Sequence, residues 1–237
     1  MFLDFWTPFK LAFDLLLATD NELMNIIGLS LKVSLTAVFI SLVIGMPLGA
    51  ILATKKFFGA QALIVISNTF LSMPPVVVGL LIYILISRSG PLGWLEILYT
   101  PYAMILAQSV LVVPMSIALS RQIFETLNNE YKPLFTSLGT NAIRRIMVLV
   151  VDARIALITI GLACFGRAIS EVGAVIIVGG NIRHATRVMT TAIALETSKG
   201  ELAIAMALGL VLLSIALLVN IASQFLRHYF KKAALDV

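Results

Sequence analysis

The 237 residues contain a single cysteine, Cys164, and only two histidines, His184 and His228. One thiol excludes an intrachain disulfide framework, and no Cys/His grouping at ligand spacing points to a metal. Each histidine sits beside basic residues, which suits a surface or interfacial place. Charge is scarce too: Asp, Glu, Lys and Arg make up 12% of the chain against 60% hydrophobic residues, with a mean hydropathy of +1.04. A soluble domain of this size needs far more polar surface to cover its core. The net charge of +5 would suit nucleic acid in a soluble protein. Here the basic residues flank apolar runs, so they read as determinants of membrane orientation and not as a nucleic-acid surface.

The opening residues lack the basic start and small-residue cleavage site of a signal peptide, since Asp4, Asp14 and Asp20 face a single Lys10. Trp6, Phe9, Phe13, Leu16 and Leu17 follow helical spacing. Residues 1–24 are therefore expected to form an amphipathic helix in the membrane interface or against the bundle, ahead of one transmembrane domain over 25–237.

Charged residues punctuate that domain. The stretches 33–54, 57–87, 97–120 and 202–226 carry no charge, and each meets the roughly 20 residues that a helix needs to cross hydrocarbon. A fifth, 155–180, is interrupted by Arg167 and Glu171. The expected fold is all-α and polytopic, with five spans at about 30–54, 62–87, 101–120, 155–180 and 202–226. The charged stretch 121–154 separates the third span from the fourth.

Basic residues set the orientation. With 121–154 inside, the inner set is Lys55, Lys56, Arg121, Lys132, Arg144, Arg145, Arg154, Arg227, Lys231 and Lys232. The outer set is Lys10, Lys32, Arg88, Arg183, Arg187 and Lys199. That imbalance predicts an N-terminus outside and a C-terminus in the cytoplasm, as an odd number of spans requires.

Prolines 47, 74, 75 and 114 lie within spans, where each removes a backbone hydrogen bond that neighbours must replace. They read as ordinary kinks or as bends that widen a central cavity. Gly45 with Gly49, and the row Gly166, Ser170, Ala174, are small residues at a spacing suited to close helix contact. Outside, residues 87–101 form a Gly/Pro-punctuated loop with Trp94 and Tyr99 at belt level. The run TTAIALETSKG is expected to form a short helix ending near Gly200.

Two features carry chemistry. Arg167 and Glu171, four residues apart, share one helix face. Charges at that depth cost roughly 2.5–3.5 kcal/mol each on insertion scales, so they face a bundle interior or a polar pathway. With Ser170 between them, the pair is a pathway candidate for an anion or a structural clasp, and its opposite signs favour the clasp. The second feature is LFTSLGTNAIRRIMVLVVDAR (134–154), where Gly139 breaks two helix-forming stretches. A cytoplasmic helix–Gly–helix bearing Arg144 and Arg145 is a docking device; the alternative is a solvated loop with incidental helix.

This second segment resembles the coupling-loop ("EAA") motif of ABC importer membrane subunits, whose glycine matches Gly139. The sequence departs from it at Pro133–Leu134–Phe135, where Glu-Ala-Ala is typical, and at Val151–Asp152, where Leu-Pro is typical. The strings SRSGPLG (87–93), GRAISEVGAVIIVGGN (166–181) and TRVMTTAIALETSKG (186–200) resemble the tungstate-importer permeases, relatives of the molybdate and sulfate permeases. The wider oxyanion group shares Arg-x-x-x-Glu-x-Gly, here Arg167, Glu171 and Gly173. The likeness runs from about residue 30 to the C-terminus.

The resemblance implies a type I permease fold in the cytoplasmic membrane. It also implies a homodimer lining one path, two ATPase subunits docked below, and an extracytoplasmic binding protein delivering the oxyanion. ATPase coupling is implied for Leu138, Gly139, Thr140, Arg144, Arg145 and Asp152. The chain lacks Gly-x-x-x-x-Gly-Lys-Ser/Thr, so ATP and Mg are expected on the ATPase partner, with no catalysis, metal or cofactor on this chain. Met73, ahead of Pro74, is the gate candidate. The rival from another class is a secondary transporter or channel working without ATP, against which no inverted repeat of broken helices is seen. Another rival, a membrane anchor or assembly protein, fits the in-membrane charges and bent helices poorly.

Overall fold

The computed structural model describes residues 10–12, 14, 21–55 and 57–233. Most of the expected N-terminal helix therefore lies outside the described residues. Among those described, the chain forms eight α-helices and no strand. They are α1 (Asn21–Thr54), α2 (Ala60–Leu71), α3 (Pro75–Ile86), α4 (Pro101–Ser137), α5 (Ala142–Ile169), α6 (Gly173–Gly179), α7 (Met189–Lys199) and α8 (Leu202–Ala233), with a 3₁₀ turn at Gly93–Leu95. Four helices are long and apolar enough to cross a membrane, and the α2–α3 pair supplies a fifth span if counted as one. Exposed Leu35, Phe39, Leu213 and Phe225 give these helices the apolar outer surface that lipid requires.

The second span, read from the sequence as one element, is two helices broken at Ser72–Pro74. Two prolines in succession explain this. Pro74 caps α3 with an extended backbone, and Pro75 occupies its first turn, where a missing N–H is harmless. By contrast, α4 continues without a break past Pro114 and Pro133. At 37 residues it is about 55 Å long, well beyond the ~30 Å hydrocarbon, so much of the charged stretch after the third span is helical overhang continuous with that span.

The chain divides into two compact units. The first comprises Met1–Ala37, Pro74–Gln108 and Gly166–Leu218. Its core includes Val33, Val78, Ile82, Met104, Val178 and Leu208, all buried. In it α3 packs against α6 through Gly79, where a Cβ would lie 2.7 Å from the Ala174 Cα. Only a residue without a side chain permits that approach. Gly180 turns the chain out of α6 in a left-handed conformation (φ 69°), and Tyr99 donates its N–H to the Val178 carbonyl at 3.0 Å. The run read as a short helix ending near Gly200 is α7, capped by Gly200 at φ 83°.

The second unit comprises Val38–Met73, Ser109–Phe165 and Val219–Val237. Here Gly45 and Gly49 of α1 face Ser116 and Ser120 of α4, as their four-residue spacing led us to expect. The Ser120 hydroxyl bonds the Ser116 carbonyl at 2.6 Å and reaches the Gly45 carbonyl at 3.4 Å. The other small-residue row is not a continuous stripe. Helix α5 ends at Ile169, so Gly166 and Ala174 belong to different helices, and Gly166 has open space around it.

Candidate functional site

In the first unit, the backbone leaves the helix at Ser170–Val172, within the stretch read as the fourth span. A break at membrane depth frees carbonyls that side chains must satisfy. Ser170 Oγ donates to the Gly166 carbonyl at 3.0 Å, Gln108 Nε2 to Ala168 at 3.0 Å, and Thr190 Oγ1 to Glu171 at 2.9 Å. The break is thus a built feature held by three separate segments.

Glu171 sits at its centre, with a side chain 4% exposed. Its Oε2 accepts from Arg167 Nη1 at 2.6 Å, and its Oε1 accepts the Ala174 N–H at 3.2 Å. Arg167 differs from its partner: its side chain is 38% exposed. The spacing rule that placed the pair on one face holds, because α5 keeps its turn up to Ile169. Gln108 and Thr190 went unnoticed from sequence, since no local pattern marks a polar residue that serves a distant carbonyl.

The first unit also holds an ion-pair network beyond the uncharged crossing stretches. Arg183 Nε donates to Glu22 Oε1 at 2.8 Å. Arg187 Nη1 lies 3.6 Å from Glu22 and 3.8 Å from Glu196, whose carboxylate Lys199 approaches at 3.0 Å. A cavity of about 270 Å³ adjoins these groups. Glu22 precedes the uncharged residues 33–54. Its carboxyl is held below the usual range, first by the hydrogen bond from Arg183, with desolvation opposing.

In the second unit, Gly139 joins α4 to α5. Its φ of 59° is left-handed, and nothing lies within 4 Å of where a Cβ would sit. The conformation itself therefore calls for glycine there, with no crowding involved. The Thr140 N–H returns to the Phe135 carbonyl at 3.2 Å. Asn141 opens α5, its Oδ1 accepting the Arg144 N–H at 2.9 Å. The two helices flanking Gly139 are the ends of α4 and α5, not separate short helices. A core of Ala50, Phe124, Phe135, Leu149 and Ala153 fixes them.

The residues assigned to coupling separate into two groups. Arg145 Nε donates to Asn128 Oδ1 at 2.6 Å, and its guanidinium lies 5.2 Å from the Phe135 ring centroid. Asp152 Oδ2 accepts from the Tyr131 hydroxyl at 2.7 Å. Both side chains thus serve to hold the segment together. Leu138 (66% exposed) and Arg144 face outward with Ile143 and Met147, which sequence reasoning had not singled out. Met73, the gate candidate, is half-buried in the α2–α3 break, its N–H on the Phe70 carbonyl at 3.3 Å. Among the described residues, no group of three or more His, Cys, Asp or Glu could hold a metal ion.

The comparisons with known proteins bear on this arrangement. The family model described as "binding-protein-dependent transport system inner membrane component" matches residues 45–233, a range that includes Gly139, Arg167 and Glu171. The chain is 40% identical over 212 residues to the tungstate uptake system permease protein TupB of Peptoclostridium acidaminophilum, covering 90% of this chain and 93% of that one. It is 40% identical over 233 residues to the protein of the same name from Campylobacter jejuni, covering 98% and 96%. The molybdenum transport system permease protein ModB of Escherichia coli K12 is 27% identical over 231 residues, covering 92% and 99%.

Proposed function

The chain belongs to the family of binding-protein-dependent transport system inner membrane components, and we propose that it carries an oxyanion, tungstate in particular, into the cytoplasm by ATP-driven alternating access. Near-full-length identity of 40% to two tungstate uptake permeases is the observation that supports the substrate. The lower identity to a molybdenum permease makes molybdate the second reading, with sulfate behind it.

A translocation subunit needs an energy source, and this chain has no phosphate-binding loop. ATP and Mg belong on two ATPase subunits, and hydrolysis takes place there. The surface that supports this docking is the cap around Gly139, where exposed Leu138, Ile143, Arg144 and Met147 surmount the buried Phe135–Leu149 core. Apolar side chains outside the bilayer, at the end of an overhanging helix pair, suit a protein partner. Arg145 and Asp152 act as positioning residues through their bonds to Asn128 and Tyr131.

Two copies of the chain supply ten spans around one path. The N-terminus lies outside and the C-terminus inside, so the loops bearing Arg183 and Arg187 receive the extracytoplasmic binding protein. Closure of the ATPase dimer on ATP pulls the Gly139 caps together and switches the path between two discrete packings. The α2–α3 break carrying Met73 is the candidate moving element, since broken helices absorb such changes.

Reconstitution with the ATPase and binding protein in proteoliposomes tests this reading. ATP-dependent uptake of tungstate, competed weakly by molybdate and sulfate, is the expected result. Uptake of a small solute without the ATPase would overturn it in favour of a secondary transporter or channel.

A further inference from the structure

We infer that Arg167 is a contact residue for the oxyanion in transit, and that Glu171 is the positioning residue that holds it there; this rests on the oxyanion-importer reading above. From sequence, equal and opposite charges favoured a clasp. The geometry separates their roles. The Glu171 carboxylate is buried and committed at both oxygens, to Arg167 Nη1 and to the Ala174 N–H. Its backbone carbonyl is taken by Thr190. The Arg167 side chain is 38% exposed, and its guanidinium makes a single hydrogen bond among the described residues, to Glu171.

A guanidinium has five donors in a planar fork, so most of its donor edge remains open. A carboxylate that is buried and shielded on every side orients the cation without presenting its own charge at the surface. What faces outward is therefore a directed cationic fork inside an apolar stretch. Such a group is costly against lipid, so it belongs to a water-filled path. The chemistry it suits is a tetrahedral dianion gripped through two oxygens, which a lysine point charge serves less well.

The surroundings support a fixed position over a mobile one. Gly79 brings α3 against Ala174, and a Cβ on Gly173 would meet Val76 Cγ2 at 2.8 Å and come within 3.6 Å of Glu171 Oε1. The carbonyls freed at the break are tied by Ser170, Gln108 and Thr190. The break thereby offers an arginine anchored through Glu171 within the stretch read as the fourth span. Weak single-residue contact suits passage, since a site that binds tightly would retain its ion.

The test uses the complete complex of permease, ATPase and binding protein in proteoliposomes, reading tungstate uptake and ATP hydrolysis together. Arg167→Gln should lower tungstate moved per ATP by about tenfold or more, with binding-protein-stimulated hydrolysis retained. Arg167→Lys should fall between that variant and the wild type. Glu171→Gln, which keeps an acceptor for the Ala174 N–H, should resemble Arg167→Lys. Ser170→Cys provides an independent reading, because Cys164, the sole native cysteine, is buried. The introduced thiol should react with a water-soluble methanethiosulfonate in the assembled complex.

Unchanged uptake per ATP in Arg167→Gln overturns the inference. So does a parallel fall in assembly, hydrolysis and uptake in both Arg167→Gln and Arg167→Lys, which is the signature of a clasp. Failure of the Ser170→Cys thiol to react, with and without ATP, places the site in lipid or a dry seam and overturns it as well. Should Arg167→Gln fail to assemble, the lysine variant and the thiol decide. A wild-type complex that imports no oxyanion sinks the functional reading itself, whereas a wild type and an Arg167→Gln variant that import alike sink only the contact role.

Discussion

Tyr131 of α4 donates its hydroxyl to Asp152 of α5 at 2.7 Å, closing the two helices that meet at Gly139. The bond joins residues 21 apart in sequence, and beside it the Tyr131 ring meets Phe135 edge-on at 5.9 Å between centroids. In the coupling role proposed above, the helix pair transmits motion and must not flex at its tip, which this bond stiffens. Tyr131→Phe should cost about 1 kcal/mol of stability. We expect a larger effect on coupling, with less transport per ATP hydrolysed at unchanged ATPase binding. A double-mutant cycle with Asp152→Asn measures the link: additive losses would mean the bond transmits nothing.

Gly139 is left-handed with open space around it, so substitutions there act through backbone strain. Gly139→Ala should cost about 1–2 kcal/mol, and Gly139→Asn less. Gly139→Leu should displace the cap and uncouple hydrolysis from uptake. Survival of normal coupling in the leucine variant would show that the ATPase docks elsewhere.

Leu138, Ile143 and Met147 are exposed, whereas Phe135 is buried beneath them. Replacing any of the three by Ser should leave the thermal midpoint within a degree or two of wild type, because surface changes cost within roughly 0.5 kcal/mol. Co-purification of the ATPase should nevertheless fall. Phe135→Ala should instead destabilise the permease by about 3–5 kcal/mol. Equal ATPase capture by the serine variants and wild type would refute the assignment.

At Gly79, a Cβ would stand 2.7 Å from the Ala174 Cα. Backbone cannot retreat as a flexible side chain can, so Gly79→Val should force α3 from α6 at a cost of about 1–3 kcal/mol or more. Differential scanning fluorimetry of the purified permease checks this, and Gly28→Ala, at a glycine with nothing near it, serves as the control.

The lowered pKa of Glu22 carries a pH dependence with a definite sign. Its folded value lies below its unfolded value, so the stabilisation is complete above the ordinary carboxylate range. It is lost as pH falls through the folded value. The thermal midpoint of the wild type should therefore drop more steeply below pH 4.5 than that of Glu22→Gln. High salt should shrink the difference, because Glu22 and Arg183 are partly exposed.

Much of the architecture was legible in the amino-acid order. Uncharged runs marked the spans because hydrocarbon admits little else. Gly200 ended α7 and Gly139 broke the charged segment, because both adopt left-handed backbone that other residues resist. The double proline 74–75 also did what its chemistry dictates, though a hydropathy reading saw one span where there are two helices. Less was legible at the sites. Arg145 and Asp152 were assigned to coupling through the family resemblance; their bonds to Asn128 and Tyr131 could not be read, because those partners lie 17 and 21 residues away on α4.

By itself, the sequence determined a membrane-embedded all-α chain, the uncharged stretches long enough to cross hydrocarbon, the left-handed glycines 139 and 200, and the pairing of Arg167 with Glu171 four residues on. These follow from local properties: side-chain transfer cost, backbone conformational preference and helical pitch. Tertiary structure alone decided which member of that pair is buried. Glu171 is held where Ala174 of α6 donates to its carboxylate and Thr190 of α7 donates to its backbone carbonyl. Arg167 remains half-exposed because nothing in its own unit covers it to the same degree. Burial depends on what packs alongside, and no window of contiguous residues contains that information.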